Sequence, residues 1–397
     1  MRRLNARLVA LGCAALVALS GCHRRRRHAA RVRDPRSEFA TGCVDPRYVT
    51  APSAVVATST DGDVTSVATA SLGGKRSVAF ATPSGVTLAR EGASPVRVTG
   101  PVRDGAFSLA ATSRRLLVAW VDARTSWLQV AAIDADGRAA AWPPFSRSAT
   151  RCALSAGARG ALVAWLEGDG ARSNLRAVTV DASGQPSSEP FELASGEVDS
   201  PAVTFTGARF VVAWRANGAT IAARTVTSDA HAGAAFTLVE GTRELEMGPA
   251  SLAWGGDRLA VAWSDRRNGD RGLQIATSDL AGRHSAEAQR LSVRFERDAR
   301  ASIAWDGAAF GVAWWEPVGG GQPRGYMALV DRSGRRMGTA MRVMVDDDDA
   351  LTQPAIAWER PDYFLASVRA STTVEARRTG PRGCDMPPLL EGPRGPR

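Results

Sequence analysis

An apolar run that ends in Val-Ala-Trp recurs along this chain and is the feature that most constrains its fold. The run ends at five tryptophans, and related runs ending in Phe and Ser occupy the same slot in two further units. The seven slot positions are Phe80, Trp120, Trp165, Trp214, Trp263, Trp314 and Ser367. Successive slots are 40 to 53 residues apart, which is the size of one repeat unit in several repeat architectures.

A second register runs in phase with the first. Seven residues before the slot, four units carry glycine, and these are Gly73, Gly207, Gly256 and Gly307. Glycine between an apolar segment and the slot run is typical of a tight hairpin, because glycine readily adopts positive φ. Two strands joined by a turn are therefore predicted in every unit.

Each unit continues with two more strand-like segments, as the fourth unit shows with AVTF, FVVAW, TIAARTVT and FTLV. The second segment is apolar on both faces, which predicts a strand buried on both sides. Sheets stacked in a ring bury both faces, and the β-branched, turn-rich pattern disfavours a helical solenoid. We therefore predict an all-β fold, a single β-propeller of seven four-stranded blades over residues 43–384, with six or eight blades as the alternatives.

The ring needs a closing strand, because the last unit supplies only three strands. The segment YVTAPSAVVATS precedes the first full unit and is predicted to complete the last blade. Cys43 stands just before this segment and Cys384 just after the last strand, which predicts a disulfide between them; two free or differently paired thiols are the alternative. Cys152 lies in a first strand and is predicted to be a buried free thiol.

The N-terminus has the order of a secretion signal: a basic MRRLNAR, a short apolar stretch and then LSGC. This resembles the bacterial lipoprotein signal, which implies cleavage after residues 1–21 and acylation of Cys22; an ordinary secretory signal is the alternative. Residues 22–42 are predicted to be a disordered basic tether, and residues 385–397 a Pro/Gly-rich tail. By the same resemblance, His23 after the acylated cysteine favours the outer membrane.

The formal net charge of +10 is concentrated in the N-terminal region. Residues 1–36 hold ten arginines and one acid, so the rest of the chain is nearly neutral. A nucleic-acid-binding domain needs its basic patch on the folded surface. The charge therefore argues against nucleic acid as a partner and suits a tether beside anionic lipid headgroups.

The DADG sequence at 134–137 invites comparison with a calcium loop. An EF-hand needs a third ligand position before the glycine and a glutamate six residues after it, and both are missing here. Other units have VDASG, SDLAG and VDRSG at the same place, so the first Asp and the Gly recur while the second Asp does not. We predict an Asx-type turn at this place, and no metal or cofactor is expected.

Acidic residues follow the slot by two positions in four units, and a further acidic run precedes the last unit. These candidate binding residues are Asp122, Glu167, Asp265, Glu316, Asp346, Asp347, Asp348 and Asp349. The end of each second strand and the loop before each first strand lie at one end of the ring. This end is therefore predicted to be acidic and to bind a cation or a basic partner; solvated loops with local Asp–Arg pairs are the alternative.

Other motifs indicate no catalytic residues. The four histidines have no metal-ligand spacing, and no G-x-S-x-G or Cys/His constellation is present. Trp127, Trp142 and Trp315 lie outside the two repeat registers, where they would either stack on a sugar or peptide or fill gaps between blades.

The repeated V-A-W-x-D-x-R and D-x-x-G units are similar to those of bacterial secreted and lipid-anchored β-propellers, a resemblance that implies no particular activity. The sequence favours a non-catalytic, monomeric lipoprotein of the cell envelope that binds a protein or a glycan through its loop face. The alternative function is that of a carbohydrate-active enzyme, a glycosidase or lyase that uses acids at the channel mouth.

Overall fold

Seven antiparallel sheets form a ring in the computed structural model, which confirms the predicted seven-bladed all-β propeller. The structure describes residues 45–50, 54–134, 136–157, 159–168, 172–295, 299–316, 324–345 and 352–382. The predicted signal peptide, tether and tail lie outside these residues, as do Cys22, Cys43, Cys384 and Asp346–Asp349. A 3-10 helix is present at Arg243–Leu245. Within the described part of the chain, no helix has the length and hydropathy to cross a membrane.

The first strand of each blade lies nearest the axis, and it contacts the first strands of both neighbouring blades. These contacts run unbroken around the ring and close it between blades 7 and 1. With strands numbered in chain order, the inner strands of blades 1 to 7 are β3 (Ser66–Leu72), β7 (Val102–Ala111), β11 (Ala149–Ala156), β15 (Val198–Phe205), β19 (Ser251–Trp254), β23 (Ser302–Trp305) and β27 (Ala355–Glu359).

The second strands carry the repeated slot. They are β4 (Lys75–Thr82), β8 (Leu116–Asp122), β12 (Gly160–Glu167), β16 (Phe210–Ala216), β20 (Leu259–Asp265), β24 (Phe310–Glu316) and β28 (Asp362–Arg369). Every slot side chain is 4% exposed or less. Nearly every residue of these strands is buried, so both faces pack against neighbouring blades, as the apolar pattern predicts.

The third strands continue outward as β5 (Gly85–Arg90), β9 (Leu128–Ile133), β13 (Ser173–Asp181), β17 (Thr220–Val226), β21 (Gly272–Ser278), β25 (Arg324–Val330) and β29 (Thr373–Arg382). The outer strands of blades 1 to 6 are β6 (Val96–Arg97), β10 (Ala139–Ala141), β14 (Phe191–Gly196), β18 (Phe236–Val239), β22 (Gln289–Arg290) and β26 (Arg336–Val345). All pairings within a blade are antiparallel, so each blade is a meander.

The chain closes its own ring through the last blade. The N-terminal strands β1 (Asp45–Thr50) and β2 (Ala54–Thr58) both pair with β29 and supply its outer strand. This confirms the predicted use of the N-terminal segment. Asp45 pairs with Arg382 in this ladder, and Cys43 and Cys384 each stand two residues beyond that pair in the sequence.

Hairpin and turn geometry explains the recurring glycines and aspartates. Gly256, in the hairpin between β19 and β20, has φ of +85°. In the DADG stretch, Asp134 Oδ1 accepts the backbone N–H groups of Asp136 and Arg138, each at 2.9 Å. Gly137 follows with φ of +88°. The stretch is therefore an Asx turn that joins the third strand of blade 2 to its outer strand, as predicted.

Several of these turns also dock their blade on the preceding one. A Cβ atom placed on Gly282 of blade 5 would lie less than 3.0 Å from the carbonyl oxygen of Thr237 in blade 4. The indole Nε1 of Trp142 in blade 2 donates to the carbonyl of Ser183 in the turn of blade 3, at 3.2 Å. Trp142 thus fills a gap between blades, and Trp315, only 2% exposed, packs in a cluster shared by blades 6 and 7.

The two ends of the ring are distinguished by chain direction. The register pairs Ala149 at the start of β11 with Glu167 at the end of β12. We call this end, where inner strands begin and second strands end, the upper face. The hairpins between first and second strands and the Asx turns lie at the lower face.

Candidate functional site at the upper end of the central channel

A cavity of about 710 Å³ lies on the axis, between the inner strands. Its wall comes mainly from the first residues of these strands and the residues just before them, with Phe107–Leu109 from β7, so it occupies the upper end of the channel. The lining side chains that carry polar groups are Thr65, Ser66, Thr69, Ser108, Arg151, Ser251, Arg300, Ser302, Thr352 and Gln353. Among the described residues that line it, none is acidic.

Two arginines stand at one level of this wall. Arg151 in blade 3 and Arg300 in blade 6 each lie fourteen residues before the slot tryptophan of their own unit. The equivalent residues of blades 1, 4 and 7 are Ser66, Ser200 and Gln353. Because the inner strands are related by the repeat, the equivalent positions form one layer around the axis. Hydrogen-bonding side chains therefore occupy five of its seven positions.

Arg300 reaches across the channel wall. Its Nη1 donates a hydrogen bond of 2.9 Å to the carbonyl of Pro201 in blade 4, although Arg300 itself belongs to blade 6. Burial, aided by the positive charge of Arg151 and opposed by Asp199, lowers the pKa of the Arg300 guanidinium to about 10. Arg151 is exposed and forms no ion pair with a carboxylate of the described residues.

A third arginine beside this layer is already neutralised. The Nε of Arg215 donates to both carboxylate oxygens of Asp199, at 3.1 and 3.2 Å. Its Nη1 donates to the carbonyl of Met247, in the segment that leads to β19, at 2.5 Å. Asp199 and Arg215 therefore form a bidentate pair that stabilises the start of β15, and the charges of Arg151 and Arg300 are not cancelled by it.

The four predicted acids that the structure describes lie at the ends of second strands, one strand outward from the channel wall. Glu167 Oε1 accepts the indole N–H of Trp165 at 2.9 Å and the hydroxyl of Ser146 at 2.6 Å. Arg176 lies 3.7 Å from its other oxygen. The Glu167 carboxylate is therefore the hydrogen-bond acceptor for the indole N–H of a buried slot tryptophan in the same blade.

Asp265 has the same role in blade 5, where it is fully buried. Its Oδ2 accepts the indole N–H of Trp263 at 2.7 Å and the Nε of Arg267 at 2.7 Å. Asp122 instead shapes its own loop, with Oδ1 accepting the backbone N–H of Arg124 at 2.9 Å and that of Thr125 at 2.8 Å.

Glu316 ends β24 and is half-buried. The four predicted acids that the structure describes therefore lie at the upper face, but they do not line the axial cavity. Within the described ranges, no group of three or more His, Cys, Asp and Glu side chains could hold a metal ion. Trp127 is half-buried, with the guanidinium of Arg147 5.6 Å from its ring centre.

The sequence contains a signal for the hydrogen bonds between acids and indoles and another for the arginines of the channel wall. Residues two apart on a strand point to the same face, so an acid two positions after a slot tryptophan is placed beside that indole. Arg151 and Arg300 both lie fourteen positions before the slot of their unit, so the repeat places them in one layer, which we call the arginine layer. The crossing of Arg300 to blade 4 has no signal in the sequence, because it depends on the curvature of the ring.

No protein-family model and no curated protein matches the chain. Solved structures match it over most of their length. A lectin from Burkholderia pseudomallei is 12% identical, with a TM-score of 0.59 and coverage of 80% of this chain and 99% of the lectin. An ulvan lyase of a polysaccharide lyase family is 9% identical, with a TM-score of 0.55 and coverage of 84% and 96%.

A catalytically inactive virginiamycin B lyase from Staphylococcus aureus, solved with quinupristin, is 11% identical. Its TM-score is 0.53, and the match covers 84% of this chain and 99% of the lyase. At such identities these structures share the propeller fold with this chain, and the fold by itself does not carry function from one to another.

Proposed function

We propose that this protein is a non-catalytic, lipid-anchored propeller of the cell envelope that binds a protein or a glycan at its upper face. The observation that carries the proposal is the axial cavity, which is concave, polar and lined by described residues from six blades. Its volume of about 710 Å³ falls in the range of small-ligand sites, about 300–1,000 Å³. A rigid ring holds such a site in place without further ordering on binding.

The hydrogen bonds of the predicted acids favour binding over acid–base chemistry. A general acid or base must be free to exchange a proton with the substrate. Glu167 and Asp265 each accept a buried indole N–H, and Asp265 is fully buried beside Arg267. These contacts occupy the carboxylates within their own blades and suit a structural role.

The lipid anchor of this proposal rests on the LSGC sequence that ends in Cys22 and on the basic segment that follows it. We expect incorporation of labelled palmitate into the full chain in its bacterial host, and loss of the label in Cys22→Ser. Membrane fractionation of the host should place the wild-type chain in the outer membrane. Recovery of unlabelled wild-type chain in the soluble fraction would contradict the anchor.

Binding through the loop face is tested by capture from envelope extract with the full, detergent-solubilised chain. One variant replaces all four residues of Asp346–Asp349 by Asn. A matched control replaces four exposed acids of the lower face: Asp136, Asp229, Asp257 and Glu287. We expect the first variant to lose partners that the control retains. Identical capture by both variants would remove the acidic run from the binding surface.

Lectins and lyases both occur among the similar structures, so the alternative of a carbohydrate-active enzyme is tested directly. The full chain is incubated with acidic and neutral polysaccharides, and new reducing ends and unsaturated sugar products are measured. We expect none above the level of a heat-denatured control. Product formation that is lost in Glu167→Gln or Glu316→Gln would replace the binding proposal with a catalytic one.

The disulfide proposed between Cys43 and Cys384 would fasten the closing strands to β29. Support comes from the pairing of Asp45 with Arg382, since the two cysteines flank that pair. Non-reducing peptide mapping should recover the two cysteine peptides linked. By chain-entropy reasoning, a bridge across so long a loop stabilises the fold by up to about 5 kcal/mol. Two separate thiol peptides from an unreduced sample would contradict it.

A further inference from the structure

The arginine layer of the channel presents hydrogen-bond donors without matching acids. At its level stand the guanidinium groups of Arg151 and Arg300, and Gln353. The side-chain oxygen of Gln353 accepts the backbone N–H of Trp315 at 3.2 Å, which leaves its amide N–H groups to donate. A ligand that fits this layer must bring acceptors and negative charge.

The charge balance at this layer is positive among the described residues. The positive charges of Arg151 and Arg215 both act on Arg300, and Asp199 is the carboxylate that opposes them there. Asp199 is held by Arg215 in a bidentate pair. Like charges brought together in a partly buried wall repel each other, and a bound anion relieves that repulsion.

The two arginines differ in how they are held. Arg300 is half-buried and fixed by its bond to the carbonyl of Pro201. Arg151 is exposed and comes from the other side of blade 4. One fixed and one adjustable guanidinium form a clamp for a planar group with two oxygens, because the guanidinium fork matches a carboxylate.

We propose that the upper end of the channel binds an acidic saccharide, with the carboxylate of a uronic-acid residue held between Arg151 and Arg300. The donor-rich layer suits a sugar, whose hydroxyl oxygens accept hydrogen bonds on every side. The hydroxyl of Ser302, which accepts the backbone N–H of Ile356 at 3.0 Å, keeps its own proton to donate. The cavity volume admits a small saccharide and excludes a folded protein.

This inference rests on the proposed binding function and names its ligand class. It places the ligand charge opposite to the one that the acidic residues of the sequence suggest. Of the described acids at the ends of the second strands, Glu167 and Asp265 bind tryptophan indoles and Asp122 binds its own loop. The arginines, by contrast, line the cavity itself.

The test is isothermal titration of the full chain with galacturonate at low salt, compared with galactose, succinate, sulfate and phosphate. We expect galacturonate to bind, galactose to bind at least about tenfold more weakly, and added salt to weaken the galacturonate complex. Equal binding of succinate would overturn the saccharide assignment. Equal binding of sulfate or phosphate would overturn the carboxylate assignment, and absence of galacturonate binding would overturn both.

Two variants assign the binding to the clamp. Arg151→Gln changes an exposed side chain and should fold as the wild type does, with galacturonate affinity reduced roughly tenfold or more. Arg209→Gln removes an exposed arginine of the lower face and should leave the affinity unchanged. Arg300→Lys keeps the charge but loses the fork and should fall between the two. Unchanged affinity in Arg151→Gln would place the ligand elsewhere.

The outcome for the clamp is separable from that for the proposed function. If Arg151→Gln still captures envelope glycans as the wild type does, and the wild type binds no galacturonate, the clamp is refuted and the binding function stands. If neither galacturonate nor any envelope component binds, both proposals fail.

Discussion

Replacement of Gly282 by alanine tests whether the recurring glycines serve the turns alone or also the contacts between blades. Gly282 and Gly256 both belong to blade 5 and have nearly the same backbone conformation, with φ of +82° and +85°. They differ in their surroundings. No atom lies within 4 Å of the Cβ position of Gly256, whereas the Cβ position of Gly282 lies less than 3.0 Å from the carbonyl oxygen of Thr237 in blade 4.

Both substitutions place an alanine in the left-handed backbone region, but only Gly282→Ala also overpacks the contact with blade 4. An alanine in the left-handed region costs roughly 1–2 kcal/mol, which is all that Gly256→Ala should lose. Gly282→Ala must also displace a backbone carbonyl of the neighbouring strand β18, and such overpacking adds about 1–3 kcal/mol. The expected total for Gly282→Ala is about 2–5 kcal/mol.

Urea denaturation followed by tryptophan fluorescence measures both losses on the same protein. The slope of unfolding free energy against urea should be unchanged, so that the midpoints report stability. Gly282→Ala should unfold at clearly lower urea than Gly256→Ala. Equal midpoints would refute the reasoning, since the two residues would then differ in nothing that matters to the fold.

Three further predictions concern buried groups and the Asx turns. Asp265→Ala should lower the unfolding free energy by about 1–3 kcal/mol, because the buried indole N–H of Trp263 loses its acceptor; Asp265→Asn keeps an acceptor and should lose less in urea denaturation, and equal losses would contradict this role. The backbone N–H of Arg283 holds the pKa of Asp279 below its ordinary 3.8, so the stability that Asp279 provides is present above that pH and is lost as pH falls through the lower folded-state value. Thermal melts of the wild type and Asp279→Ala should therefore converge in acid, whereas parallel curves would count against the turn. Burial raises the pKa of the Cys152 thiol to about 12, so mass spectrometry should find Cys152 unmodified by iodoacetamide in the folded chain at pH 8 and modified in guanidinium; similar rates in both states would refute its burial.

The sequence alone predicted the propeller architecture because each repeat unit has strand and turn patterns that depend only on neighbouring residues. A strand that is buried on both faces needs consecutive apolar residues instead of alternating ones, and β8, β12 and β20 show such a run up to the slot tryptophan. Glycines and aspartates predict turns because glycine adopts positive φ and the aspartate side chain accepts nearby backbone N–H groups, as Asp134 does. The missing fourth strand of the last unit also predicts the closing strand, since each of the other six units supplies four strands.

The tertiary structure decided which charges face the axis. From the sequence, the acids at the ends of the second strands were predicted to form one acidic surface at the mouth of the channel. In the structure, Asp265 and Glu167 turn toward the indoles of their own strands, because alternate residues share a face. Arg151 and Arg300, far apart in the chain, come to one layer because the ring places equivalent residues around one axis. Side-chain contacts across blades depend on that closure, so local sequence patterns could predict the ring but not the chemistry at its centre.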